Sequence, residues 1–194
     1  MLKLIKRLFF PLAIIFIGAS FTGAYFSDSV SVSGNTFETG IWPTTARVVI
    51  NEVYYDVDSA HGDEGTNEWI ELYNPSSTDI NIKNWSIADN SGVAHPINAN
   101  VSIPASGFAL LSHDNNTWHL WGDPSGANII TVNLGGSPGS GWLDDSGDRV
   151  ILKDNVSNII DQMSYSSGTE GHSWERSPKG TGAFIDNAIP TPGS

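Results

Sequence analysis

Residues 67–75 read Asn-Glu-Trp-Ile-Glu-Leu-Tyr-Asn-Pro. From Glu68 to Tyr73 a period of two sets Ile70 and Leu72 on one face and Trp69, Glu71 and Tyr73 on the other, the alternation of a β-strand. One face is expected to enter a core while the other stays mixed. Asn74-Pro75 then ends the strand, because Asn favours turns and proline has no N–H for a ladder.

The same grammar runs outward in both directions. Short apolar or alternating stretches bounded by turn residues predict strands at Arg47–Tyr55, Asp79–Ile82, Trp85–Ala88, Phe108–Ser112, Ile129–Asn133, Arg149–Lys153 and Ile159–Tyr165. The breaks between them are Asp89-Asn90-Ser91-Gly92, Asp123-Pro124-Ser125-Gly126 and Asp145-Ser146-Gly147. No window sustains a helical period. After Gly168 the apolar density falls, which predicts a last edge strand at Ser173–Arg176 followed by a tail. The expected fold class is all-β, an antiparallel β-sandwich.

A chain of 194 residues holds one domain of ordinary size with a short extra segment. Charged residues make up 15% of it, with 20 Gly and 10 Pro, a composition that favours turns over helices. The formal charge is −12, and an acidic surface repels phosphate backbones, so no nucleic-acid partner is expected. The absence of cysteine excludes disulfides, thiolate zinc sites and cysteine nucleophiles.

Lys3, Lys6 and Arg7 precede an apolar run over residues 8–23, and Thr22-Gly23-Ala24 supplies small residues before a cut. This is the layout of a signal peptide. The run falls short of the roughly 20 residues that span a bilayer, so a membrane would touch the chain only through this segment, were it left uncleaved. Cleavage is expected between Ala24 and Tyr25, and losing the leader takes the charge to −15. The expected organisation is a signal peptide over residues 1–24, an export-linked segment and linker over 25–45 with a hinge at Trp42-Pro43-Thr44-Thr45, and a sandwich over 46–193. Ala24-Tyr25-Phe26-Ser27-Asp28, with Asn35-Thr36-Phe37 and Gly40, resembles the amino terminus of the camelysin and biofilm-fibre proteins of Gram-positive bacteria. That resemblance implies export by a dedicated signal peptidase and a mature start near Tyr25.

Residues 67–75, followed by Asn84-Trp85-Ser86-Ile87-Ala88-Asp89, resemble the start of a bacterial lamin-tail domain. Ile103-Pro104-Ala105-Ser106-Gly107-Phe108 resembles the family's proline-to-glycine turn, Gly147–Asp154 with Ile160-Asp161 and Tyr165 its long hairpin, and Gly171–Arg176 with Pro190–Gly193 its close. The resemblance spans residues 46–193 and departs at Ser106 and at Ser157-Asn158, where glycine is usual, which puts the turn geometry in question. It implies an immunoglobulin-like sandwich of the kind found in bacteria mostly as an accessory or cell-surface module.

Several patterns carry chemistry. Gly135-Gly136-Ser137-Pro138-Gly139 has the spacing of a nucleophile elbow, but that motif needs an N–H from the residue after the serine, and Pro138 has none. A glycine-rich loop is expected instead. His61, His95, His113, His119 and His172 form no compact metal spacing. The loop containing Asp56, Asp58, Asp63 and Glu64 gathers hard oxygen donors suited to calcium. It is not an EF-hand, since Ala60 holds a ligand position and His61 the glycine position. Asp144, Asp145 and Asp148 form a second, smaller acidic group. Trp118-His119-Leu120-Trp121 is expected in a loop whose rings cap the sandwich end, with a sugar or protein partner as the alternative use. No catalytic residue is assigned, and calcium is the one cofactor this loop would suit, the alternative being a solvated acidic loop that keeps the protein soluble. The expected function is a secreted or cell-surface binding or adhesion module for an extracellular protein or glycan. The alternatives are a self-associating matrix subunit using residues 25–40 as an added strand, and a small secreted hydrolase.

Overall fold

The computed structural model describes residues 47–132 and 142–194, all within the unit Ile41–Ser194. The signal segment, the Ala24/Tyr25 junction, the hinge at 42–45, Asn133 and the loop carrying Ser137 lie outside the described residues.

Two main sheets face each other. Strands β1 (Val49–Tyr54), β2 (Trp69–Tyr73), β3 (Ile80–Asn81), β4 (Ser86–Ala88), β5 (Ala94–Pro96), β6 (Ser102–Ile103), β7 (Phe108–Ser112), β8 (Asn128–Thr131), β9 (Arg149–Lys153), β10 (Ile159–Ser164), β11 (Ser173–Ser177) and β12 (Ala183–Asn187) follow in chain order. The larger sheet runs β12-β11-β1-β2-β7-β8, the smaller β10-β9-β4-β5, and β3 pairs with β6. This is the expected immunoglobulin-like β-sandwich. Its core is closed by Val53, Ile70 and Leu72 of the larger sheet against Ile87, Val150 and Leu152 of the smaller, all buried. Burying each such side chain is worth about 1.5–3 kcal/mol.

Four expectations need correction. Pairing is antiparallel except at β7–β8, which is parallel. The connection over residues 113–127 is long enough for the crossover a parallel pair requires, and it carries a 3₁₀ helix, Asn115–Trp121, where a loop was expected. Ser173–Arg176 is not an edge, because β11 is bonded on one side to β1 and on the other to β12. The true edge, β12, was read as tail. Its half-buried Phe184 lies under the Arg176 guanidinium, 4.3 Å from the ring centroid, a contact across strands that local patterning does not carry. Finally, the second face of β2 is not merely mixed, since Trp69 and Glu71 are both fully buried.

That outer face has two halves. Tyr54, Trp69, Leu110, Val57 and Trp118 form a second apolar cluster, with Trp121 and Ala127 packed on it. Tyr54 meets Trp121 edge-on at 5.0 Å and Trp69 meets it at 5.7 Å, within the favoured range for aromatic pairs. The other half is polar, formed by Asn51, Glu52, Glu71 and Ser173, and the last residues of the chain lie across it.

The two sheets are stitched where both are irregular. A register shift between Ile50 and Glu52 interrupts β1, and another between Ile159 and Asp161 interrupts β10. Asp161, 7% exposed, fills the gap: its carboxylate accepts from the Ile50 N–H at 2.9 Å, from Arg176 at 2.9 Å and from Arg47 at 3.0 Å. Arg176 Nε donates in turn to the Ile50 carbonyl at 2.7 Å. Both backbone groups freed by the bulge are thereby satisfied.

Ser106 and Ser157, the two departures from the family's glycines, hold φ values of 56° and 68°. The left-handed turns are kept although serine pays about 1–2 kcal/mol there. Ser106→Gly and Ser157→Gly should therefore each raise stability by about 0.5 kcal/mol, the relief less glycine's entropy. Urea unfolding of each variant measures this, and a lower midpoint would contradict it.

Candidate functional site

The acidic loop leaves β1 at the end of the sandwich, and its four candidate ligands take different roles. Asp58 builds the turn, accepting from the Ala60 N–H at 3.1 Å and the His61 N–H at 2.9 Å, and pairs with His61 Nδ1 at 2.6 Å. Asp63 is exposed, and its backbone N–H is held by Asn67 Oδ1 at 2.9 Å. Asp56 and Glu64 turn the same way and meet Asp145, so that one oxygen of each lies within 4.8 Å of the others. Among the described residues this is the group whose His, Asp and Glu ligand atoms come close enough to share an ion.

Glu68 makes that meeting possible. It is 2% exposed, and its carboxylate accepts from the Trp142 N–H at 2.8 Å and the Leu143 N–H at 3.2 Å. The start of the strand after the acidic loop thus anchors the segment that delivers Asp145. Asp144 and Asp148, the other members of the second acidic group, are occupied elsewhere. Asp144 accepts from the Ser146 N–H at 2.8 Å, and Asp148 accepts from the Asn90 N–H at 3.0 Å.

Burial and then the neighbouring charges of Asp145, Asp56 and Glu170 push the Glu64 carboxyl up to about 7. Burial, then Asp56 and Asp144, raise Asp145. One Glu64 oxygen accepts from the Val57 N–H, while the other, Oε2, is buried and has no protein partner. Crowded carboxylates with a free oxygen suit a hard cation that takes six to eight oxygen donors, with water completing the shell. Glu64 and Asp145 border an open groove of about 490 Å³, which Asp89, Asn90, Trp142, Asp144 and Asp148 also line.

The histidines serve locally. His61 stacks on Trp121 at 3.9 Å, His119 pairs with Asp123 at 2.6 Å, and His172 pairs with Asp186 at 2.9 Å. Asp114 caps the 3₁₀ helix by accepting from the Asn116 N–H. Trp118 is buried and Trp121 half-buried in the outer aromatic cluster, so the rings cover the outer face of the larger sheet where a cap on the sandwich end was expected, and Trp118 offers no open face. Ser137 lies outside the described residues.

Sequence patterning found both acidic groups but treated them as separate, because nothing in the spacing shows that Glu68 ties one to the other. Among the described residues no helix is long and apolar enough to cross a membrane. No curated protein matches the chain. The family model of the lamin tail domain matches residues 43–167. That family is a non-catalytic immunoglobulin-like domain, compatible with a binding module. Covering more than half of the sequence and agreeing with the sandwich above, the match places the chain in the lamin tail domain family.

Proposed function

We propose that the protein is exported and works at the cell surface or outside it as a non-catalytic binding module, with the acidic end of the sandwich as its contact surface. The observation that supports this best is the meeting of Asp56, Glu64 and Asp145 from two loops, beside an open groove that Glu64 and Asp145 line. Loops at the end of a rigid sandwich are where such folds place recognition. The basic start, apolar run and Thr22-Gly23-Ala24 cut support export. Calcium held by the three carboxylates would neutralise their repulsion and leave coordination positions for an oxygen-rich partner, an extracellular glycan or an acidic protein segment.

The full chain, produced in a secreting host, tests the reading. Tyr25 should be the first residue of the recovered protein, found in the supernatant or wall fraction. Binding to cell-wall glycans or surface proteins should rise with about millimolar calcium, and Asp145→Asn should weaken it about tenfold. Binding that is unchanged by chelator and by Asp145→Asn would defeat the calcium-bridged version. Growth in size with concentration, lost on deleting residues 25–40, would favour a matrix subunit, and turnover of ester or glycoside panels a hydrolase.

A further inference from the structure

The polar half of the outer sheet face is closed by the end of the chain. The Thr191 N–H donates to Glu52 at 3.1 and 3.3 Å, the Thr191 hydroxyl to the same carboxylate at 3.3 Å, and the Gly193 N–H to Glu71 at 2.7 Å. Gly193, at φ 87°, lies so close to the preceding crossover that a Cβ there would approach Pro124 to 3.2 Å. Residues 190–193 are themselves half-exposed, and Ile189 is 75% exposed. A thin segment therefore separates two fully buried glutamates from water.

We propose that residues 189–194 form a strap that is closed in acid and lifts in alkali, gated by the carboxyl pair of Glu52 and Glu71 beneath it. The inference is independent of the binding role and of calcium.

The facing groups decide the direction. From β11, Glu175 stands opposite Glu52 in the register, held by Asn187 of β12 at 2.7 Å, and Ser173 donates to Glu52. From β1, Asn51 donates to Glu71 at 2.8 Å. From β7 the residue opposite Glu71 is Leu110. His172 and Asp186, beside this face, are paired with each other. The turn after β11 donates to Asn51 through the Gly180 N–H, and its Lys179 lies over the Tyr73 and Phe108 rings. The charges that press on the pair are negative, Glu175 on both and Glu52 on Glu71. Burial, the largest cause, raises Glu52 to about 7 and Glu71 to about 8, with Glu175 pushing both the same way. Ionised carboxylates are stronger acceptors for the two latching amides, but the cost of burying like charges together outweighs that gain. Lifting the strap rehydrates both groups while disturbing no strand, so it is the opening of lowest cost.

The chain has no cysteine, so Pro192→Cys in the full chain, carrying a nitroxide, reports the segment between the two latching amides. The spectrum should pass from slow to several-fold faster motion between about pH 6 and about pH 9, while near-ultraviolet circular dichroism stays constant. Glu52→Gln combined with Glu71→Gln should keep the label slow throughout. A label equally slow at both ends in the parent, or an unchanged transition in the double variant, would overturn the proposal. If the double variant does not fold, carbon-13 titration of the parent's glutamate carboxyls decides: the mobility midpoint must coincide with that of Glu52 or Glu71, and separation of the two overturns the gate.

Discussion

Asp161→Ala should cost about 3–5 kcal/mol, the usual penalty for removing one partner of a buried ion pair. The loss would strand the Arg176 guanidinium, whose side chain is 15% exposed, and leave the Ile50 N–H without an acceptor inside the bulge. Arg47 contributes little to this sum: its side chain is 53% exposed, and exposed pairs are worth about 0–1 kcal/mol. Arg47→Ala should thus be nearly silent while Asp161→Ala is severe, and Asp161→Asn, which keeps an acceptor and the shape, should fall between them. Urea unfolding of the three variants measures the order. A cost below about 1 kcal/mol for Asp161→Ala would mean that the sheets are held by apolar packing alone.

Raising the pH should destabilise the fold well before ordinary alkaline denaturation. Glu52 is pushed up to about 7, Glu68 to about 8 and Glu71 to about 8, each chiefly by burial. A carboxyl whose folded value lies above its unfolded one favours the folded state while protonated. Its contribution is complete below about 4.5 and drains away as pH climbs through the folded value. Each such group supplies a slope of about 1.4 kcal/mol per pH unit in that window, so three together outweigh any surface term. Asp114, lowered by the Asn116 amides it accepts from, acts in the opposite sense and weakens the fold only below about 3.8. Tm measured by calorimetry should therefore peak between these limits and fall by roughly 20 °C or more from about pH 5 to about pH 9. Glu68→Gln, which still offers an oxygen to Trp142 and Leu143, should flatten part of that fall. A flat profile would show that burial does not hold these carboxyls above their unfolded values.

Period-two alternation made β1, β2, β7, β9 and β10 readable, because each carries enough apolar residues on one face to declare itself. β5 and β6, three and two residues long, escaped because each holds a single buried or half-buried side chain and so shows no alternation, and Pro96 marks β5 as an edge. The buried second face of β2 was hidden for a different reason: Trp69 and Glu71 gain their cover from a 3₁₀ helix and a chain terminus far away in sequence. The binding end was half legible. Asp56 and Glu64 stood out locally, but their meeting with Asp145 depends on Glu68 reaching two amides across 74 and 75 residues.

β1 opens the folded unit, yet its neighbours are β2 and the late strand β11, with Val53 facing Trp174, and Glu52 waits for Thr191. A polypeptide emerging amino end first from a ribosome would hold β1 half paired until β11 had appeared. Such ordering postpones closure, so the early half of the sheet stays exposed to other pairings until the late strand arrives.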